Sequence, residues 1–162
     1  PIKGIMFRDV TTLYSNPEAM KEVINLTCNY WKNKGLTCIA GIEARGFITG
    51  SIIANELSLP FIPIRKKGKL PYDTLSQEYE LEYGTATIEI HKDAVNKNDN
   101  VLIVDDLIAT GGTALASIEL IHKLDAKVSG CTFIIDLPEL GGRKKIEDKG
   151  IEVQSLCDFE GH

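Results

Sequence analysis

Asp105 and Asp106, with Ala109-Thr110-Gly111-Gly112-Thr113 two residues further on, are the side chains of this chain best spaced to do chemistry. Carboxylates accept hydrogen bonds from vicinal hydroxyls and repel phosphate. A Thr-Gly-Gly-Thr run that opens a helix offers free backbone N–H groups to an anion, and its glycines let the main chain come close. An acid pair one loop away from a phosphate cradle therefore points to a ligand carrying both groups, a ribose phosphate.

The elements that must position these residues flank them directly. Val101-Leu102-Ile103-Val104 reads as a strand buried on both faces, as in a parallel sheet, and a helical pattern runs from Ala114 to Leu124. The acids end the strand and the glycines start the helix. Such a run could also serve a metal site or a dinucleotide fold. A Walker B-like metal site lacks its partner, because no G-x-x-x-x-G-K-[ST] occurs, and no G-x-G-x-x-G follows a strand to mark a dinucleotide fold.

Gly41-Ile42-Glu43-Ala44-Arg45-Gly46-Phe47 is a second strand-to-helix turn, with Arg45 at its tip to suit a second anion. Alone, a surface Arg in a glycine-flanked turn is more often merely solvated. Arg65-Lys66-Lys67-Gly68-Lys69-Leu70-Pro71 concentrates four cations, either as a solvated loop start or to neutralise a departing anion. Lys66 to Leu81 shows no sustained period and is expected to be irregular, as functional loops inside compact domains are. Glu80-Leu81-Glu82-Tyr83-Gly84 closes it and offers a carboxylate as acid or base, though a loop Glu is usually just exposed.

Elsewhere, Asn16-Pro17-Glu18 starts a helix that Gly35 is expected to close. Strands are predicted at 37–42, 61–64, 85–90, 128–135 and 151–156. Helices are predicted at 47–57 and in a short charged segment after Gly141-Gly142-Arg143. Strands alternating with helices predict an α/β domain with a mostly parallel central sheet flanked by helices, its ligand at the carboxyl ends of the strands. The 162 residues suit one domain spanning 1–162. A net charge of −5 argues against a broad nucleic-acid footprint. No apolar run reaches membrane-span length and no signal peptide is visible. Cys28, Cys38, Cys131 and Cys157 and the three histidines are too scattered for zinc, and a reduced cytoplasmic compartment is expected.

Strand, two acids, two variable residues, a small residue and Thr-Gly-Gly-Thr together resemble the phosphoribosyl pyrophosphate (PRPP) motif of type I phosphoribosyltransferases. Further segments resemble the adenine-specific members of that family: Gly4-Ile5-Met6-Phe7-Arg8-Asp9, Ala44-Arg45-Gly46-Phe47, Arg65-Lys66 through Pro71, Glu82-Tyr83-Gly84 and Leu137-Pro138-Glu139-Leu140-Gly141-Gly142-Arg143. They run in order through nearly the whole chain. No Lys stands in Ile134-Ile135-Asp136-Leu137 to read a 6-oxo purine, which agrees with a 6-amino base.

The resemblance implies the type I fold with a small N-terminal hood over residues 1–14 and a mobile catalytic loop over 66–84. It implies transfer of a phosphoribosyl group from PRPP to adenine, giving AMP and pyrophosphate with Mg²⁺. The metal is expected on substrate and water oxygens, with no dedicated protein ligand. Asp105 and Asp106 would hold the ribose hydroxyls and Ala109, Thr110, Gly111, Gly112 and Thr113 the 5′-phosphate. Ala44, Arg45, Arg65 and Lys69 would face pyrophosphate. Ala44 stands where the family commonly has Ser, so one hydroxyl is lost. Met6, Phe7, Arg8 and Leu137 would bind adenine. Glu82, Tyr83 and Arg45 are the catalytic candidates, with Glu82 relaying the proton. A homodimer is the family's expectation. Transfer to another purine, or PRPP sensing without catalysis, are the alternatives; a sensor of this kind carries an added DNA-binding module, which nothing in the sequence supplies.

Overall fold

The computed structural model describes residues 10–81 and 83–159. In chain order the elements are α1 (Val10–Tyr14), α2 (Pro17–Trp31), β1 (Cys38–Ile42), α3 (Gly46–Leu57), β2 (Phe61–Lys66), β3 (Thr74–Leu81) and β4 (Gly84–His91). There follow β5 (Asn100–Val104), β6 (Leu107–Ile108), α4 (Gly112–Lys123), β7 (Lys127–Asp136), α5 (Gly142–Glu147) and β8 (Glu152–Asp158). Among the described residues no helix is long and apolar enough to cross a membrane.

One sheet of eight strands runs β3-β4-β2-β1-β5-β7, with β6 and β8 both paired to β7. The β1, β2, β5, β6, β7 and β8 pairings are parallel, while β3 and β4 form an antiparallel hairpin joined to β2 through Arg65–Glu89 and Lys66–Ile88. The central strands are buried on both faces, and their period of two splits the core. Ala40, Val101 and Ile103 pack with Ile118 and Ile121 of α4, whereas Ile39, Leu102 and Val104 pack with Ile24 and Trp31 of α2 and Ile53 of α3. The apolar runs predicted as buried strands are explained by helices on both faces.

Local chemistry sets the helix ends. Asn16 Oδ1 accepts the Ala19 N–H at 3.1 Å, Pro17 opens α2 and Glu18 sits in its first turn. Gly35 does not close that helix: α2 ends at Trp31, and Gly35 takes φ +75° in the turn beyond. The stretch expected to be irregular from 66 to 81 is a second correction. Only residues 67–73 lie between strands, and Thr74–Leu81 pairs residue by residue with β4. Leu75 and Tyr79 of β3 pack on the α4 side, but Gln77 between them is polar and accepts a 2.5 Å hydrogen bond from Lys123 Nζ. A polar residue on the covered face hides the strand period.

Candidate active site

A cleft of about 460 Å³ opens at the carboxyl ends of β1, β2 and β5. It lies where the connection from β1 runs through α3 to β2 on one side and β5 flanks β1 on the other. Open α/β sheets bind ligands at such a reversal of strand order.

The acid pair sits at the break between β5 and β6. β5 ends at Val104, the Asp105 N–H donates to Thr132 O at 3.2 Å, and Asp106 O accepts from the N–H groups of Ile134 and Ile135 at 3.0 Å each. β6 then resumes pairing with β7. Main-chain bonds therefore hold the two acids, and their side chains turn to other partners. Asp105 Oδ1 accepts the Asp106 N–H at 2.8 Å. Burial, and next the charge of Asp106, push the Asp105 carboxyl up to about 8. Asp106 is buried, yet Arg45 Nε lies 2.9 Å from its Oδ2, from a side chain 58% exposed. That contact is a charge pair without hydrogen-bond alignment, for Oδ2 has no hydrogen-bond partner among the described residues. An acceptor in this state suits a hydroxyl.

The cradle follows from α4. Gly111 takes φ +86° at the N-cap, a backbone setting that L side chains rarely adopt, and it brings no side chain to cap the helix. The first N–H groups of α4 therefore face the cleft uncapped. Gly142 supports the loop from behind: its N–H donates to Ala109 O at 3.0 Å, and a Cβ on it would lie 2.6 Å from that oxygen. Thr113 Oγ1 lies 3.2 Å from Tyr79 Oη, and Lys145 Nζ donates to Thr110 O at 3.3 Å.

Cations gather opposite. The Glu43–Ala44 peptide is cis, and a Cβ on Gly46 would lie 2.5 Å from Val104 O, so α3 begins hard against the end of β5. Glu43 Oε1 accepts from Arg65 Nε at 2.8 Å and from the Lys66 N–H at 3.2 Å. Burial pushes the Glu43 carboxyl up, but the Arg65 bond, the Lys66 N–H and the charges of Arg65 and Lys69 outweigh it and hold it below the usual range. Arg65 also donates to Lys69 O at 3.4 Å, tying the basic turn to its own strand.

Of the predicted site residues, Ala44, Arg45, Arg65, Asp105, Asp106, Ala109, Thr110, Gly111, Gly112 and Thr113 all line this one cleft. Lys69 and Tyr83 do not line it, and Tyr83 is almost fully exposed. Leu137 packs beside the cleft with Val10 and Leu13, its N–H on Ile108 O at 3.0 Å. Met6, Phe7, Arg8 and Glu82 lie outside the described residues. Sequence reasoning missed Glu43 as the partner of Arg65, Tyr79 on the cradle, and Glu89. Glu89 is buried and accepts from the Gly68 N–H at 2.5 Å, Thr74 Oγ1 at 2.6 Å and Ser76 Oγ at 3.2 Å. Its position in an alternating strand was the signal for a solvent-facing side chain, and only the register of β3 reveals why it is covered.

Comparison with known proteins agrees with this layout. The phosphoribosyl transferase domain family matches residues 9–160. The adenine phosphoribosyltransferase of Shewanella frigidimarina is 54% identical over 161 residues, covering 99% of this chain and 88% of the relative. The crystal structure of the enzyme of that name from Thermoanaerobacter pseudethanolicus superposes with a TM-score of 0.89 at 45% identity, covering 98% of this chain and 91% of that one. The Saccharomyces cerevisiae structure, complexed with an imino-altritol bisphosphate and adenine, superposes at 0.86 with 37% identity, over 96% and 89% of the two chains. With the strand-end acids, the uncapped helix and the full-length likeness in agreement, this chain belongs to the phosphoribosyl transferase domain family, among the adenine phosphoribosyltransferases.

Proposed function

We propose that this chain transfers the 5-phosphoribosyl group of PRPP to adenine, giving AMP and pyrophosphate in purine salvage. The observation that carries the reading is the cleft itself. An uncapped helix N-terminus, a buried acid with an unbonded oxygen and a bank of cations line one space, in the charge layout of PRPP.

The 5′-phosphate sits on Ala109 to Thr113, and the ribose hydroxyls donate to Asp105 and Asp106. Arg45 leaves Asp106 for pyrophosphate, joined by Arg65 on its Glu43 support and by the backbone at Ala44. Adenine N9 attacks C1 of the ribose. The N9–C1 bond forms as the C1–O bond breaks, the electron pair leaves on pyrophosphate, and the anomeric centre inverts. Neutralising that leaving group and aligning the nucleophile are the two demands on the site. The acid pair is engaged by the ribose hydroxyls, while hard oxygens of the substrate and of water would hold Mg²⁺. When bound it supplies charge neutralisation on pyrophosphate.

By family resemblance, Met6, Phe7, Arg8 and Leu137 hold the base, Glu82 takes the adenine proton, and Tyr83 and Lys69 close on the site with the loop. The resemblance likewise supports a homodimer and a cytoplasmic enzyme.

The test is pyrophosphate release from PRPP and Mg²⁺ with adenine, hypoxanthine, guanine and xanthine in parallel. Release with adenine alone is expected. Release with an oxo-purine overturns the base assignment, and no release with any base overturns catalysis in favour of sensing.

A further inference from the structure

Tyr79 belongs to no motif of the chain, yet it reaches the centre of the cradle. It comes from β3, where it pairs with Ala86, and lies 34 residues before its contact. Its ring packs against the α4 core, and a Cβ on Gly112 would lie 3.5 Å from its Cδ2. Its hydroxyl is 3.2 Å from Thr113 Oγ1, and both residues line the same cleft.

A Thr or Tyr hydroxyl brings one donor and lone pairs that accept, so this pair can bond in either direction. A phosphate removes the choice. A bound dianion only accepts, so with phosphate on α4 the Thr113 proton turns to it and the Tyr79 O–H must donate to Thr113. Each bond of such a chain polarises the next. No other side-chain hydroxyl of the described residues is bonded to Thr113 Oγ1.

Resting on the proposed function, we propose that Tyr79 is a positioning residue of the 5′-phosphate subsite. Its hydroxyl orients that of Thr113 toward phosphate and so docks the β3–β4 hairpin on the occupied cradle.

Tyr79→Phe keeps the ring and removes only the hydroxyl. The KM for PRPP is expected to rise about three- to tenfold, the effect of one neutral hydrogen bond, while the KM for adenine stays where it was. Thr113→Val should weaken PRPP by itself, and adding Tyr79→Phe to it should change nothing more, because the bond is already gone. A merely structural Tyr79 would move both KM values or lower the melting temperature, and its effect would add to that of Thr113→Val. An unchanged PRPP KM in Tyr79→Phe, equal shifts for both substrates, or additive effects would each overturn the proposal. Wild-type protein that forms no AMP overturns the proposed function, and this inference with it; an active wild type with a silent Tyr79→Phe sinks this inference alone.

Discussion

Asp105 and Asp106 have the same side chain and adjacent places, and their surroundings give them different work. Asp106 faces Arg45 and keeps a buried oxygen without a hydrogen-bond partner, whereas Asp105 turns its Oδ1 back to the main chain. Burial and the neighbouring Asp106 charge raise Asp105 to about 8, with the Arg45 charge opposing. An unfolded Asp titrates near about 4. Between those values the folded state holds a proton that the unfolded chain has released, so stability from this group falls as pH rises through the window, and the deficit is complete above it. Asp105→Asn removes the titrating group. Its melting temperature is expected to fall less than that of wild type between roughly pH 5 and pH 8, measured without ligand. Parallel curves for the two proteins would contradict this account of the acid pair. The motif itself was legible in the sequence because all its parts are local, but the division of labour within it was not. That depends on Arg45, sixty residues away in the chain, and on the helices that bury Asp105.

Among the elements, the basic turn between β2 and β3 is tied to β4 by a buried carboxylate, Glu89, beside its main-chain bonds. The Thr74 hydroxyl first, then the Gly68 N–H, hold Glu89 below the ordinary carboxylate range despite its burial. A depressed folded-state value means stability that is present above the unfolded value and lost as pH falls through the folded one. Glu89→Gln replaces one acceptor oxygen by an amide that faces donors. The expected loss is about 1–3 kcal/mol near neutral pH, read as a lower midpoint in denaturant, and the gap to wild type should narrow in acid. A variant as stable as wild type at neutral pH would show that the three hydrogen bonds on Glu89 do not secure the turn. Here two side chains take places that the local pattern does not reveal. Gln77 is a polar residue on the covered face of β3 and bonds Lys123 of α4, whereas Glu89 keeps the alternation of β4 and is covered because β3 brings Thr74 and Ser76 to it. The parallel strands were easier to read, since burial on both faces leaves continuous apolar runs such as Val101 to Val104.

For the whole molecule, the order of strands decides where chemistry is placed. β1 and β5 lie side by side, so the turn at 43–46 and the loop at 105–111 meet although they are distant in sequence. A chain of net charge −5 thereby gathers Arg45, Arg65 and Lys66 around one cleft that also holds its acid pair. The Arg45–Asp106 pair balances one of those cations, and a ligand with both a diol and a pyrophosphate can replace each partner of the pair at once. The α/β class, the parallel sheet and the cradle were legible from alternating elements and from one motif. The attachment of the β3–β4 hairpin to β2, and with it Tyr79 and Glu89, was not, because antiparallel pairing across a polar loop leaves no local mark. Calorimetric titration of PRPP with Mg²⁺ into wild type and Asp106→Asn decides whether the acid pair holds the ribose. Wild type is expected to bind, and Asp106→Asn, still folded, about ten- to hundredfold more weakly, the effect of losing a charged hydrogen-bond acceptor. Equal affinity for the two proteins would place the ribose elsewhere and contradict the account.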